Sequence, residues 1–316
     1  MQYNRLGKSG LRVSRFSIGS WASFGVHVDE AKARKILTTA IEGGVNFIDN
    51  AEAYAGGRAE KIVGSVISDF RRESLVISSK VFWGGSGPND RGLSRKHVVE
   101  ACHGALRRLG IDYLDLYFCH RPDPETPVLE TALAMDILIR QGKVLYWGTS
   151  EWTVEQLREL YTVCENHGLI KPQMEQPQYN MFHRLRVESE LRPLYEEQGL
   201  GTTVWSPLAS GILTGKYNDG IPKGSRLDQE QYKWLASEVT PERVQKVRDL
   251  SALAADLGCS MAQLALAWAA RDPSQVSTVL TGASRPSQVE ENLKAEAVIE
   301  KLTPPVLLAI ERILEG

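Results

Sequence analysis

Cysteine is scarce: the chain has four in 316 residues, Cys102, Cys119, Cys164 and Cys259, and no two stand in a CxxC spacing. Cys102 falls in a helical pattern and Cys119 in a strand pattern. This distribution argues for reduced, buried thiols and against a disulfide framework or a zinc site. The six histidines form neither an HExxH motif nor an i, i+4 pair, so no metal is expected. No apolar run approaches the roughly 18 to 20 residues of a membrane-spanning helix. The opening segment, MQYNRLGKSGLRV, lacks the apolar centre of a signal peptide, which leaves the cytoplasm as the expected compartment. Net charge is small, −2 with 24% charged residues, so neither nucleic acid nor an anionic membrane is an expected partner. Linker-like and low-complexity stretches are missing too, and residues 1–316 read as a single domain.

What is present is a regular alternation. Eight apolar or β-branched runs bounded by turn signals cover 15–19, 46–50, 75–81, 113–120, 144–150, 174–179, 202–207 and 277–282. From the second to the seventh they recur at about 30 residues, the length of one βα unit. Amphipathic helices fill the gaps. One spans 29–43 with Ala33, Ile36, Leu37, Ala40 and Ile41 on a face; another spans 94–109, from a Ser N-cap to Gly110. Thr153 and Gln156 spell a capping box.

Such alternation demands a parallel sheet, open or closed. Eight units, and no GxGxxG after the first strand, favour a (β/α)8 TIM barrel over a doubly wound sheet. The segment around Gly7-Lys8-Ser9-Gly10 reads as a small N-terminal β-hairpin; the barrel floor is one place for it, which the sequence alone does not assign. Two connections are long, 82–94 after strand three and 209–235 after strand seven, and are expected to line the pocket at the strand C-terminal ends.

Three successive strands end on ionisable groups. Asp49 closes the second, with Tyr54 a short loop beyond; Lys80 closes the third and His120 the fourth. Singly, each has an ordinary explanation: a helix N-cap, a packed aromatic, a surface charge, a turn residue. Jointly they suit the reduction of a carbonyl, in which the developing alkoxide needs a proton. Tyr54 can supply it, with the Lys80 ammonium drawing the phenol's pKa down toward the working range. Asp49 orients Lys80, and His120 polarises the substrate oxygen.

FIDNAEAY at 47–54, with Lys80 and His120, resembles the aldo-keto reductase superfamily, whose tetrad is Asp, Tyr, Lys and His. Within it, the chain is most similar to the voltage-gated potassium channel β-subunits and their bacterial relatives. The matching stretches are FWGG (82–85), RGLSRKH (91–97), RPDPETP (121–127), YWGTSEW (146–152), WSPLASGILTGKY (205–217), GIPKGSR (220–226) and GAS…Q…EN (282–292). The resemblance spans nearly the whole chain. It implies NADPH/NADP+ as cofactor, a small carbonyl substrate, and a homo-oligomer, tetrameric or larger.

By the same resemblance, Ser20, Trp21 and Asp49 belong to the cofactor site beneath the nicotinamide ribose and pyrophosphate. Ser150 and Gln176 hold the carboxamide, which suits their neutral donors and acceptors. Trp205 stacks on the nicotinamide ring, and Ser206, Pro207, Leu208, Ala209 and Ser210 form a strap along the pyrophosphate. Lys216 and Arg226 are cationic contacts to the phosphate and adenine side, while Gly282, Ser284, Gln288, Glu291 and Asn292 hold the adenosine end. Ser284 with Arg285, where a helix begins, suits a 2′-phosphate and hence NADPH over NADH.

The sequence departs from the resemblance in three places. Channel β-subunits of the animal type carry Asn where His120 stands, so the complete tetrad favours a reductase of aldehydes, with ketones and dicarbonyls as further candidates. An Arg of that group is Glu151 here, which removes an expected contact on the cofactor side. His27 replaces a Gln near the cofactor. The competing expectation is an NADP(H)-sensing subunit docked on a membrane partner; against it, the sequence starts almost directly at the barrel.

Overall fold

The computed structural model describes residues 1–21, 24–26 and 28–316. His27 lies outside the described residues. Two short strands, β1 (Tyr3–Arg5) and β2 (Arg12–Ser14), form an antiparallel hairpin with Tyr3 opposite Ser14. Next come β3 (Phe16–Gly19), β4 (Phe47–Asp49), β5 (Val76–Val81) and β6 (Leu114–Cys119). The set is completed by β7 (Val144–Thr149), β8 (Met174–Glu175), β9 (Gly201–Val204) and β10 (Thr278–Thr281). These eight strands are parallel and close on themselves, β10 pairing with β3. The fold is a (β/α)8 TIM barrel with an N-terminal β-hairpin.

Helices return the chain between strands: α1 (Glu30–Glu42), α2 (Arg58–Ile67), α3 (Arg95–Leu109), α4 (Val128–Arg140), α5 (Val154–His167) and α6 (Arg192–Glu197). Their ends follow the expected signals. Asp29 accepts from the Lys32 N–H, Ser94 from that of His97, and Thr153 with Gln156 closes a full capping box. Gly110 ends α3 in the left-handed region. After β9 come α7 (Pro241–Asp256) and α8 (Met261–Ala269), and after β10 come α9 (Pro286–Leu293), α10 (Ala295–Ile299) and α11 (Pro304–Glu315), which lies against α7. Among the described residues no single helix is long and apolar enough to cross a membrane.

The sixth and seventh barrel strands are shorter than their apolar runs. Pro177 stands two residues beyond the end of β8 and offers no N–H to the ladder. Beyond β9, Ser206 turns to φ +55° and leads into Pro207.

Strand alternation sorts the side chains. Ile48, Ile77, Tyr117 and Cys119 face outward into the helix-packed core. Phe47, Val76, Leu116, Phe118, Met174 and Leu280 fill the barrel interior, together with Leu6 and Val13 of the hairpin. The hairpin is therefore the floor. Its turn lies so close to the strand-seven entry that a Cβ on Gly7 would sit 2.2 Å from the Gly199 carbonyl oxygen. Inside the wall, a Cβ on Gly148 would fall 2.0 Å from the Met174 carbonyl oxygen, so β7 and β8 approach only with glycine there. Two or four residues above the interior layer, the same parity brings Asp49, Lys80, His120, Ser150, Gln176 and Trp205 to the C-terminal mouth.

Candidate active site

The mouth is built around Lys80, which has no solvent exposure. Its Nζ donates to Asp49 Oδ2 at 2.5 Å, to the Asn50 carbonyl at 2.7 Å and to the Tyr54 hydroxyl at 3.0 Å. All three ammonium protons are thus directed. Asp49, 2% exposed, also accepts from Ser78 Oγ at 2.8 Å and Gln176 Nε2 at 3.2 Å through its other oxygen. Tyr54 stands at the head of a tight turn whose next three residues, Ala55, Gly56 and Gly57, all have positive φ. Its ring lies edge-on to His120 with centroids 5.9 Å apart, and His120 in turn meets Trp83 at 4.9 Å.

Burial sets the protonation states. It lifts the Tyr54 phenol well above its ordinary value, with the Asp49 charge adding and Arg121 opposing. The expected downward pull from Lys80 is overridden, because that ammonium is matched by a carboxylate 2.5 Å away. Burial also lowers Lys80, with Asp49 resisting, and pushes His120 well below its usual range, helped by Lys80 and Arg121. His120 is neutral, with Nδ1 buried and unpartnered.

The other predicted residues fall in three places. Near the tetrad, Ser20 Oγ donates to Asn50 Oδ1 at 2.8 Å and lies 3.1 Å from the Asp49 carbonyl, and Ser150 Oγ donates to the Gln176 carbonyl at 2.9 Å. Gln176 bridges Asp49 and Thr203. Further round, Trp205 is half-buried, and Ser206, Ala209 and Ser210 all take positive φ within five residues, with Pro207 and Leu208 between them. Non-glycine residues in that region store strain and turn successive N–H groups to one side.

At the far end, Arg226 lies 5.6 Å over the half-exposed Trp21 ring and 3.9 Å from where a Cβ on Gly282 would be. Burial, Arg226 and Arg285 together lower Lys216. None of Lys216, Arg226 and Arg285 has a carboxylate partner among the described residues. Ser284 donates to Gln288 through both backbone and hydroxyl, and Asn292 to the Gly282 carbonyl. Glu291 is turned away, accepting from Gln263 and Lys294.

Four features escaped the sequence reading. Glu151, read there as a lost contact, accepts from Trp205 Nε1 at 2.8 Å and from the Gln178 N–H at 2.7 Å, and its φ is +61°. Arg121 leans back over the mouth. Glu52, inside FIDNAEAY, accepts from the Phe82 N–H at 2.8 Å and lies 3.4 Å from His97 Nε2, fastening the Tyr54 loop to the 82–94 loop. Glu175, fully buried beneath the 150–152 loop, accepts from Thr149 Oγ1 and the Trp152 N–H, and burial raises it to about 7. Both Glu52 and His97 sit in quoted motifs, which was the available signal.

The closed parallel barrel thus gathers at its mouth a buried Lys–Asp pair, a phenol and a neutral imidazole, all in contact in series. The chain belongs to the aldo/keto reductase family, an oxidoreductase family whose model matches residues 15–315. Among curated relatives, it is 52% identical to the "Probable voltage-gated potassium channel subunit beta" of Arabidopsis thaliana, over 100% of this chain and 97% of that protein. It is 51% identical, with the same coverage, to the protein of the same name from Oryza sativa subsp. japonica.

Proposed function

We propose that the protein reduces aldehydes to alcohols with NADPH, ketones and dicarbonyls being further candidates. The observation that carries this is Lys80 Nζ, held between Asp49 at 2.5 Å and the Tyr54 hydroxyl at 3.0 Å at the barrel mouth. The phenol oxygen accepts from Lys80, so its own proton points elsewhere, toward a substrate oxygen. Because Nδ1 of the neutral His120 is buried without a partner, the ring's single proton belongs on Nε2, where it can donate to the carbonyl.

NADPH, when bound, supplies the hydride. As the carbonyl carbon gains it, the C=O π pair moves onto oxygen, and that alkoxide takes the Tyr54 proton. Alkoxide is a far stronger base than phenolate, so a phenol raised by burial still gives up its proton at this moment and keeps it before. Lys80 stabilises the phenolate left behind, and solvent restores the proton.

The chain's residues fit this cofactor. Three cations without carboxylate partners, Lys216, Arg226 and Arg285, suit a phosphate-rich ligand, and the positive-φ strap at 206–210 suits a pyrophosphate. Ser150 and Gln176 are placed for a carboxamide, with Trp205 beside them as a stacking surface. Ser20 and Asp49 complete the ribose side, while Gly282, Ser284, Gln288 and Asn292 flank the adenosine end. Glu291 would have to leave Gln263 to join them. The four free thiols support a reducing compartment, the cytoplasm.

The direct test follows NADPH absorbance against a panel of aldehydes and α-dicarbonyls. Turnover of several is expected; none at concentrations well above the millimolar KM range would overturn the reading. A second prediction concerns Glu151. Its replacement by Ala strips the Trp205 indole and the Gln178 amide of their acceptor, a loss of about 1–3 kcal/mol. Global stability should fall by that order, and NADPH should bind about tenfold more weakly, while Glu151→Gln keeps an acceptor and most of the affinity. Titration by quenching of tryptophan fluorescence reads both; an unchanged Kd in Glu151→Ala would detach Glu151 from the cofactor site.

A second reading has one specific support, the name shared by both plant relatives. In it the barrel is an NADP(H)-sensing subunit docked on a membrane protein. Co-purification with such a partner, with no turnover of any aldehyde, would favour it.

A further inference from the structure

Arg121 follows His120 directly and is the cation at the mouth that the reaction does not use. Its Nη1 donates to the His120 carbonyl at 2.5 Å and to Ser150 Oγ at 3.3 Å, and its guanidinium lies 5.4 Å over the Trp83 ring. No carboxylate pairs with it among the described residues. Glu125, four residues on, makes no ion pair with it, and Asp123 and two acids around the mouth make hydrogen bonds elsewhere. Asp123 accepts from the Leu93 N–H, the Glu125 N–H and Thr126 Oγ1. Glu151 holds Trp205 and Gln178, and Glu52 holds Phe82 and His97. Lys80 is already neutralised by Asp49.

Among the described residues Arg121 is thus a cation at the mouth with no ion-pair partner, and it is half-buried. Nε and Nη2 have no acceptor among the described residues, yet they are not among the solvent-sealed unpaired atoms, so a ligand can reach them. That edge of a guanidinium, two parallel N–H groups, is the one that grips a carboxylate bidentately. Its field also reaches the tetrad, where it acts on Tyr54, Lys80 and His120.

We propose that Arg121 selects the substrate, and that the preferred class is an aldehyde bearing a carboxylate a few carbons from the carbonyl. The ring sequence Tyr54, His120, Trp83, Arg121 sets the order of the subsites. The carbonyl lies at Tyr54 and His120, the short apolar spacer crosses the Trp83 edge, and the carboxylate meets the guanidinium. This rests on the reductase reading, and deepens it.

The experiment compares kcat/KM for succinic semialdehyde and its uncharged methyl ester, in wild type, Arg121→Lys and Arg121→Met. The wild type should prefer the anion by about 10- to 100-fold, the range of one charge-assisted bidentate contact. The preference should shrink in Arg121→Lys, vanish in Arg121→Met, and weaken as salt rises. Because the readout is a ratio, a general loss of activity cancels. A wild-type ratio near one, or a ratio that Arg121→Met leaves intact, overturns the assignment. Should neither aldehyde turn over, the aldehyde and dicarbonyl panel decides the reductase reading, and a thermal shift decides Arg121 separately. Butyrate with NADP+ should then raise the melting temperature of the wild type and not of Arg121→Met; equal shifts, or none in either, refute it.

Discussion

Tyr54→Phe should cut aldehyde reduction by about a hundred- to ten-thousand-fold, the usual contribution of a positioned general acid, while NADPH binds nearly as before. Phenylalanine is the informative replacement. The ring of Tyr54 packs edge-on to His120 and lies 4.7 Å below the Lys80 ammonium, and both contacts survive it. Only the hydroxyl that accepts from Lys80 is lost. Steady-state turnover and a fluorescence titration of NADPH separate the two effects; a variant that still reduces aldehydes at the wild-type rate would remove Tyr54 from the chemistry.

The pH profile adds a second handle on the same assignment. Burial raises the folded Tyr54 phenol above its ordinary value, so it stays protonated, and lowers His120, so it stays neutral. Neither group changes state between roughly pH 6.5 and 10, the ordinary values of the two side chains. Reductive kcat/KM should be flat across that window. A step within it would mean either that Lys80 draws the phenol down after all or that the ammonium, itself lowered by burial, loses its proton there.

How far the sequence carries is visible residue by residue. Asp49, Lys80 and His120 were legible because strand parity and the βα beat are local properties, and a barrel turns both into a position at one mouth. The hairpin was legible from its turn signal, but its place as the floor was not, because Leu6 and Val13 meet the interior layer only once the barrel closes. The part Glu151 plays in the mouth was not legible because its partner, Trp205, is 54 positions away, and only closure of the barrel brings the two together. The Tyr54 shift was misjudged in sign because charge types can be listed from a sequence whereas burial cannot. Arg121 was missed because a cation is defined as unpaired only once every neighbouring acid has been accounted for. The strand ends expected at 179 and 207 moved inward to 175 and 204, since Pro177 and the positive φ of Ser206 act on single backbone groups inside otherwise apolar runs.

The largest effect on folding should come from Lys80→Met. Asp49 then remains in the interior with its charge and without its ammonium, and loss of one partner from a buried pair costs about 3–5 kcal/mol. Ser78 and Gln176 still donate to the carboxylate, which limits the loss without replacing the charge. Asp49→Asn strands the ammonium in the same way, though the Asn50 carbonyl and the Tyr54 hydroxyl still accept from it. The double variant, Lys80→Met with Asp49→Asn, removes both charges at once and should be less destabilised than the sum of the two single changes. Urea titrations of the four proteins give the coupling from the midpoints, provided the slopes agree. All three variants should be inactive, since none retains the ammonium fixed against the phenol. Simple additivity would show that the pair does not hold its charges inside the barrel, and the account of Tyr54 as a buried acid backed by Lys80 would fall with it.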